Sequence, residues 1–125
     1  MNWLFKTEPS DYSFDDLVRE GRTRWEGVRN PTALKNLRGV RKGDSVMIYH
    51  TGGVRAVVGL ARAASDAQGD AVDLVPDRLL ARPVTLGEVR KNSKLRTLDL
   101  VRITRLSVMP VPEPLWTELM RMSAT

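Results

Sequence analysis

The stretch RKGDSVMIYHTGGVRAVVGLARAA, Arg41 to Ala64, decides the fold. Val46 and Ile48 alternate with Met47 and Tyr49, a β-branched and aromatic run too short for a helix, so it reads as a strand. Arg41–Asp44 is a turn into that strand, and Thr51–Gly53 is a flexible break after it. A second strand follows from Arg55 to Ala64. Gly59 inside it marks a bulge or a close approach of another part of the chain.

Short elements of both kinds flank this centre. Asn2–Lys6 sets Trp3 and Phe5 against Leu4 and Lys6 and reads as a first strand. Ser13 with Asp16 three residues on is a capping box, opening a helix with Phe14, Leu17 and Val18 on one face and Gly21 as its left-handed cap. Asn30 before Pro31 starts a second helix, striped by Ala33, Leu34 and Leu37 and ended by Gly39. Beyond the central strands, Ala71–Leu80 reads as a strand interrupted near Pro76. Thr85 and Glu88 form a second capping box, and Leu100–Met109 alternates like a strand. Pro110, Pro112 and Pro114 precede a last helix with Leu115, Leu119 and Met122 on one face. There is no internal repeat or linker and no regular βαβ alternation. The expected architecture is one α+β domain, residues 1–125, built as a small mixed β-barrel edged by short helices.

Composition narrows the chemistry. The 125 residues are 42% hydrophobic, enough for a core. The absence of Cys excludes a disulfide framework, a Cys-based zinc site and a thiol nucleophile. It fits a reducing, cytoplasmic setting, as does an N-terminus without a signal-peptide pattern. A single His excludes a multi-histidine metal centre, so neither metal nor cofactor is expected. Lys and Arg number 20 against 15 Asp and Glu, a net charge of +5 with a sequence pI near 10.1, which suits a phosphate-bearing partner.

Trp25 stands in TRWEGVRNP, a Gly-flanked polar stretch that reads as a connection outside any element. It is either a lid folded onto the core or a surface offered to a ligand. Asn30, Tyr49 and His50 complete the candidate base-stacking and base-edge set, since amides pair with base edges and aromatic rings stack on base faces. Each has a structural alternative: helix cap for Asn30, packing on a helix for Tyr49, a fixed hydrogen bond for His50. Lys6 and Glu8 form a candidate acid–base pair, or a surface ion pair. Arg22, Arg24 and Arg29, with Lys35 and Arg38, are candidate phosphate contacts. No Ser-based triad, P-loop or dinucleotide fingerprint is present, so no enzyme class is indicated.

Taken in order, NWLFKTEPSDYSFDDL, RWEGVRNPTALKNLRGVRKGDSVMIYHTG, VVGLA and RPVTLGEVRKN, followed by LVRITRLSVMPV, resemble the EVE domain family over nearly the whole chain. The resemblance implies a PUA-like fold and a reader of modified nucleobases, notably modified cytosines, in DNA or RNA. It implies that Trp25 walls a base pocket, that Asn30 lies on its base-edge side, and that Tyr49 and His50 come from the neighbouring strand. A general RNA-binding module and a small hydrolase of modified nucleosides using Lys6 and Glu8 are the alternatives. One connection, Ser65–Ala71, is shorter and less aromatic than in many members.

Overall fold

The computed structural model describes residues 1–124, so the expected domain boundary at 125 lies one residue outside the described residues. Six strands form one curled mixed sheet: β1 (Asn2–Thr7), β2 (Thr23–Trp25), β3 (Ser45–His50), β4 (Ala56–Ala63), β5 (Val72–Thr85) and β6 (Val108–Pro110). Their spatial order is β2-β5-β4-β3-β1-β6. Five short helices edge the sheet: α1 (Phe14–Glu20), α2 (Pro31–Arg38), α3 (Leu86–Lys91), α4 (Asp99–Arg102) and α5 (Glu113–Ser123). This is the mixed α+β architecture expected from the sequence, with the sheet curled into a half-barrel whose end strands are β2 and β6.

The central strands form as read. β3 runs parallel to β1, pairing Phe5 with Ile48 and Lys6 with Tyr49, and antiparallel to β4. Val46 to Tyr49 are consecutively buried, so both faces of β3 are covered. Gly59 is both things its position suggested. The β3–β4 and β4–β5 registers each shift beside it, and a β-carbon there would stand 2.6 Å from Phe14 ring atoms. Phe14, at the first turn of α1, therefore presses onto the sheet where a side chain is missing.

The caps are also as read. Ser13 accepts the Asp16 N–H while Asp16 reaches back to the Ser13 N–H, and Gly21 closes α1 at φ 75°. Thr85 and Glu88 do the same for α3. A buried carboxylate fixes the barrel's other end: Asp44 accepts from Trp3 Nε1 at 2.9 Å, from the Arg41 N–H at 2.9 Å and from the Met1 ammonium at 3.2 Å.

Three sequence expectations are corrected. Trp25 is not in a connection; it ends β2, where Thr23, Arg24 and Trp25 pair antiparallel with Leu74, Asp73 and Val72. The strand around Pro76 is not interrupted but bulged. One extra residue is absorbed where Leu60 faces Arg78 and Ala61 faces Pro76, and β5 continues to Thr85. Leu100–Met109 is not one strand. It is the short α4, a turn, and β6 from Val108 only. Its apparent alternation comes from Leu100 and Leu106 plugging the core from a compact turn, with Ile103 41% exposed between them. No helix among the described residues is long and apolar enough to cross a membrane.

Candidate functional site

A cavity of about 330 Å³ opens beside the end of β1, within the range of ~300–1,000 Å³ usual for small-ligand sites. Lys6 and Thr7 of β1, Tyr12, the whole of β2, the Glu26–Arg29 loop and Ser107 line it. Its aromatic wall is built outward from the core. Phe5 is fully buried; Trp25 packs on it with ring centroids 5.5 Å apart at 53°. Tyr12 meets Trp25 edge-on, at 6.0 Å and 87°. Trp25 is thus partly buried against the core and also faces the cavity, so the lid and ligand readings are not exclusive.

The wall is held from behind. Thr7 Oγ1 donates to the Tyr12 carbonyl at 2.7 Å, and the Tyr12 hydroxyl donates to the Glu20 carboxylate at the end of α1. Burial, then the bond to Glu20, pushes the Tyr12 phenol above its ordinary pKa. Gly27, at φ 82°, supplies the left-handed turn that carries the chain from β2 into the loop, and Val28 packs onto the core below it. Arg24 is paired with Glu26 at 2.9 Å; Arg29 has no carboxylate within 4 Å among the described residues. An aromatic wall rimmed by hydroxyls and guanidinium groups suits a flat, polar-edged ring better than a flexible chain.

The other candidates are distributed elsewhere. Asn30 Oδ1 accepts the Ala33 N–H at 3.0 Å as the cap of α2 and does not line the cavity. His50 Nε2 accepts the Phe14 N–H at 3.0 Å, satisfying one of the free donors at the start of α1. Burial lowers the His50 pKa, against opposing pulls from Asp15 and Glu8, which keeps that acceptor neutral. Tyr49 is buried and borders a second, smaller pocket, with Lys6 Nζ 5.8 Å from its ring centre. Lys6 donates to the Thr104 carbonyl at 3.0 Å, and its half-burial lowers its pKa. Glu8 lies beyond the end of β1, held by the Ser10 N–H and hydroxyl at 2.6 and 2.7 Å, so the two form no acid–base pair. Arg22 pairs with Asp73 at 2.8 Å and Arg38 with Asp70 at 2.6 Å; Lys35 is exposed on α2. None of residues 65–71 lines the cavity.

Sequence reasoning missed Tyr12, Thr7, Thr23, Val28 and Ser107 as lining residues. Only Tyr12 carried a signal: an aromatic in a polar turn one residue before a helix cap. Thr7, Thr23 and Ser107 arrive by pairing across the sheet, and Val28 by packing of its loop onto the core. Among the described residues there is no group of three His, Cys, Asp or Glu side chains placed to hold a metal.

Comparison with known proteins bears on the fold and the family. A protein of Agrobacterium tumefaciens has the same fold with 34% identity and a TM-score of 0.91, covering 98% of this chain and 92% of that one. A protein of Rhodopseudomonas palustris has 33% identity and a TM-score of 0.92 over the same shares. Human THYN1, solved in complex with 5-methylcytosine-containing DNA, shares the fold at 22% identity and a TM-score of 0.92, covering 99% of this chain and 98% of that one. No curated protein sequence matches at a significant level. The EVE domain model matches residues 1–122, all but the last three positions, and with the identities above it settles membership: the chain belongs to the EVE domain family.

Proposed function

We propose that this domain binds nucleic acid by seating one extruded, modified base, of modified-cytosine type, in the cavity between Trp25, Tyr12 and the Glu26–Arg29 loop. The observation that carries the reading is the pair of aromatic rings, fixed edge-on by Phe5, Thr7 and Glu20, beside a cavity of about 330 Å³. Bases removed from a stack are held by aromatic contact and by hydrogen bonds to their edges. Thr7, Thr23 and Ser107 offer hydroxyls for those bonds, and Arg24 and Arg29 offer charge to the flanking backbone. Human THYN1, of the same fold, makes DNA with 5-methylcytosine the first ligand to test. The reading is of binding and not of hydrolysis, because Lys6 and Glu8 are turned to separate partners.

A base methyl that enters the cavity loses roughly 25 Å² or more of apolar surface to the wall, worth about 0.8 kcal/mol, or roughly fourfold in affinity. The test compares matched oligonucleotides differing only in that methyl, at three salt concentrations. A preference that persists at every salt supports the reading. Equal affinity at every salt refutes it and leaves an unselective nucleic-acid module.

A further inference from the structure

Lys6 also borders a second pocket, of about 170 Å³, lined with it by Tyr49, Thr51, Gly52, Arg55, Leu86, Arg90, Leu100 and Thr104. Three cations from three separate parts of the fold reach it: Lys6 from β1, Arg55 from the turn before β4, and Arg90 from α3. No carboxylate lines it, and none of the three forms an ion pair among the described residues, whereas Arg22, Arg24, Arg38, Arg62, Arg82 and Arg121 all do. The carboxylate of Glu8 lies against Gly52, one of the lining residues, and is engaged by Ser10. Lys6 spends one of its donors on the Thr104 carbonyl and keeps two. Arg55 is held at φ 48°, the one non-glycine residue with positive φ among the described residues, a conformation that persists only where the surroundings impose it. Arg55 and Arg90 are exposed, and the lining carries a net positive charge that attracts an anion.

We propose that the Lys6–Arg55–Arg90 pocket binds a phosphoryl group of the nucleic acid, in the backbone or at a strand end, next to the base seated in the Trp25 cavity. The proposal rests on the base-binding reading for its ligand and not for its geometry. Lys6 lines both spaces, so the phosphate and the base would share one side chain as a neighbour. The base would be read in one space and the strand's position fixed in the other.

The test uses single-stranded oligonucleotides with cytosine or 5-methylcytosine, with and without a terminal phosphate, and with each linkage in turn made neutral as a methylphosphonate. The protein is the wild type and the double variant Arg55→Asn, Arg90→Gln. Asn tolerates the left-handed conformation and Gln suits a helix, so charge is removed at little cost to the backbone. The expected result is about a tenfold loss of affinity and a salt slope flatter by roughly 0.7, with the ratio between modified and unmodified strands unchanged. One neutralised linkage, or loss of the terminal phosphate, should weaken the wild type and leave the variant unaffected, which identifies the phosphate. An unchanged slope, with every neutralised position costing both proteins alike, overturns the proposal. Base reading is judged separately by the modified-to-unmodified ratio of the wild type. A flattened slope without that ratio retains the phosphate site and removes the base reading; the ratio without a flattened slope does the reverse. Absence of any binding by the wild type overturns both. If the double variant melts below the assay temperature, Arg90→Gln alone, at an exposed helical position, reads the same change of slope.

Discussion

Replacing Trp25 with Ala separates the two jobs this residue holds. The ring contacts Phe5 and Tyr12, two aromatic pairs, each worth about 0.5–1.5 kcal/mol beyond burial. Trp25 is only partly buried, so water fills much of the space it leaves, and the full cost of about 3–5 kcal/mol for a buried Trp is not incurred. The two pair terms together give a loss of ~1–3 kcal/mol. Against a total of ~5–15 kcal/mol for a domain, the variant stays folded at room temperature. Base stacking contributes another ~1–3 kcal/mol, so affinity for the preferred oligonucleotide should fall roughly fivefold to 150-fold. Trp25→Phe keeps a ring against Phe5 and should recover most of the stability and part of the affinity. Urea unfolding followed by far-ultraviolet circular dichroism gives the first quantity, and fluorescence anisotropy with a labelled oligonucleotide gives the second. A folded Trp25→Ala protein that binds as tightly as the wild type refutes the assignment of the cavity.

Other positions test the frame around the site. Gly59→Ala drives a methyl into the Phe14 ring, which is buried in the core, and should cost ~1–3 kcal/mol or more by urea melt. Stability should fall with pH through His50: its folded pKa is depressed by burial, so its contribution is present above about 6.5 and is lost as pH falls through the folded value. His50→Gln should flatten that dependence between pH 7 and 5; melts with unchanged pH dependence would count against the Phe14 contact. Burial raises the pKa of Asp44, but the Arg41 N–H, the Trp3 indole and the Met1 ammonium outweigh it and hold the carboxyl below its ordinary range. Its stabilisation is therefore present above about pH 4 and is lost on further acidification, and Asp44→Ala, which leaves the Trp3 N–H unpartnered, should cost ~1–3 kcal/mol at pH 7. Asn30→Ala should cost about 1 kcal/mol of stability by loss of the α2 cap, with affinity and base preference unchanged; a lost preference would bring Asn30 back to the base.

What the sequence disclosed was local. Ser13–Asp16, Asn30–Pro31 and Thr85–Glu88 announce helix starts because their chemistry is complete within four residues. β3 and β4 were legible because a continuous apolar run has one short solution. β2 was not, since three residues carry no measurable period and their partner, Val72–Leu74, lies far along the chain. Pro76 suggested a break because the bulge that accommodates it, in β5 itself, is defined only by pairing with β4. Site residues followed the same rule. Trp25 stood out by being aromatic in polar surroundings. Asn30 and His50 were chosen for their chemistry, and the geometry commits that chemistry to backbone N–H groups of Ala33 and Phe14. The meeting of Lys6, Arg55 and Arg90 could not be read, because nothing in the linear order of the chain brings them together.

The position of β1 in the sheet has a consequence for how the chain comes off the ribosome. β1 is made before β3 and β6, yet it lies between them in the sheet. Until Val108–Pro110 has emerged, one edge of β1 carries unpaired N–H and C=O groups, and its run Trp3, Leu4, Phe5 lacks part of its cover. Ser107 joins the Trp25 cavity at that same moment. Until then the nascent chain is both open to stray pairing along β1 and unable to close its cavity. High contact order of this kind slows folding. Ligand competence and protection from aggregation should therefore appear together, as a single event once β6 has emerged.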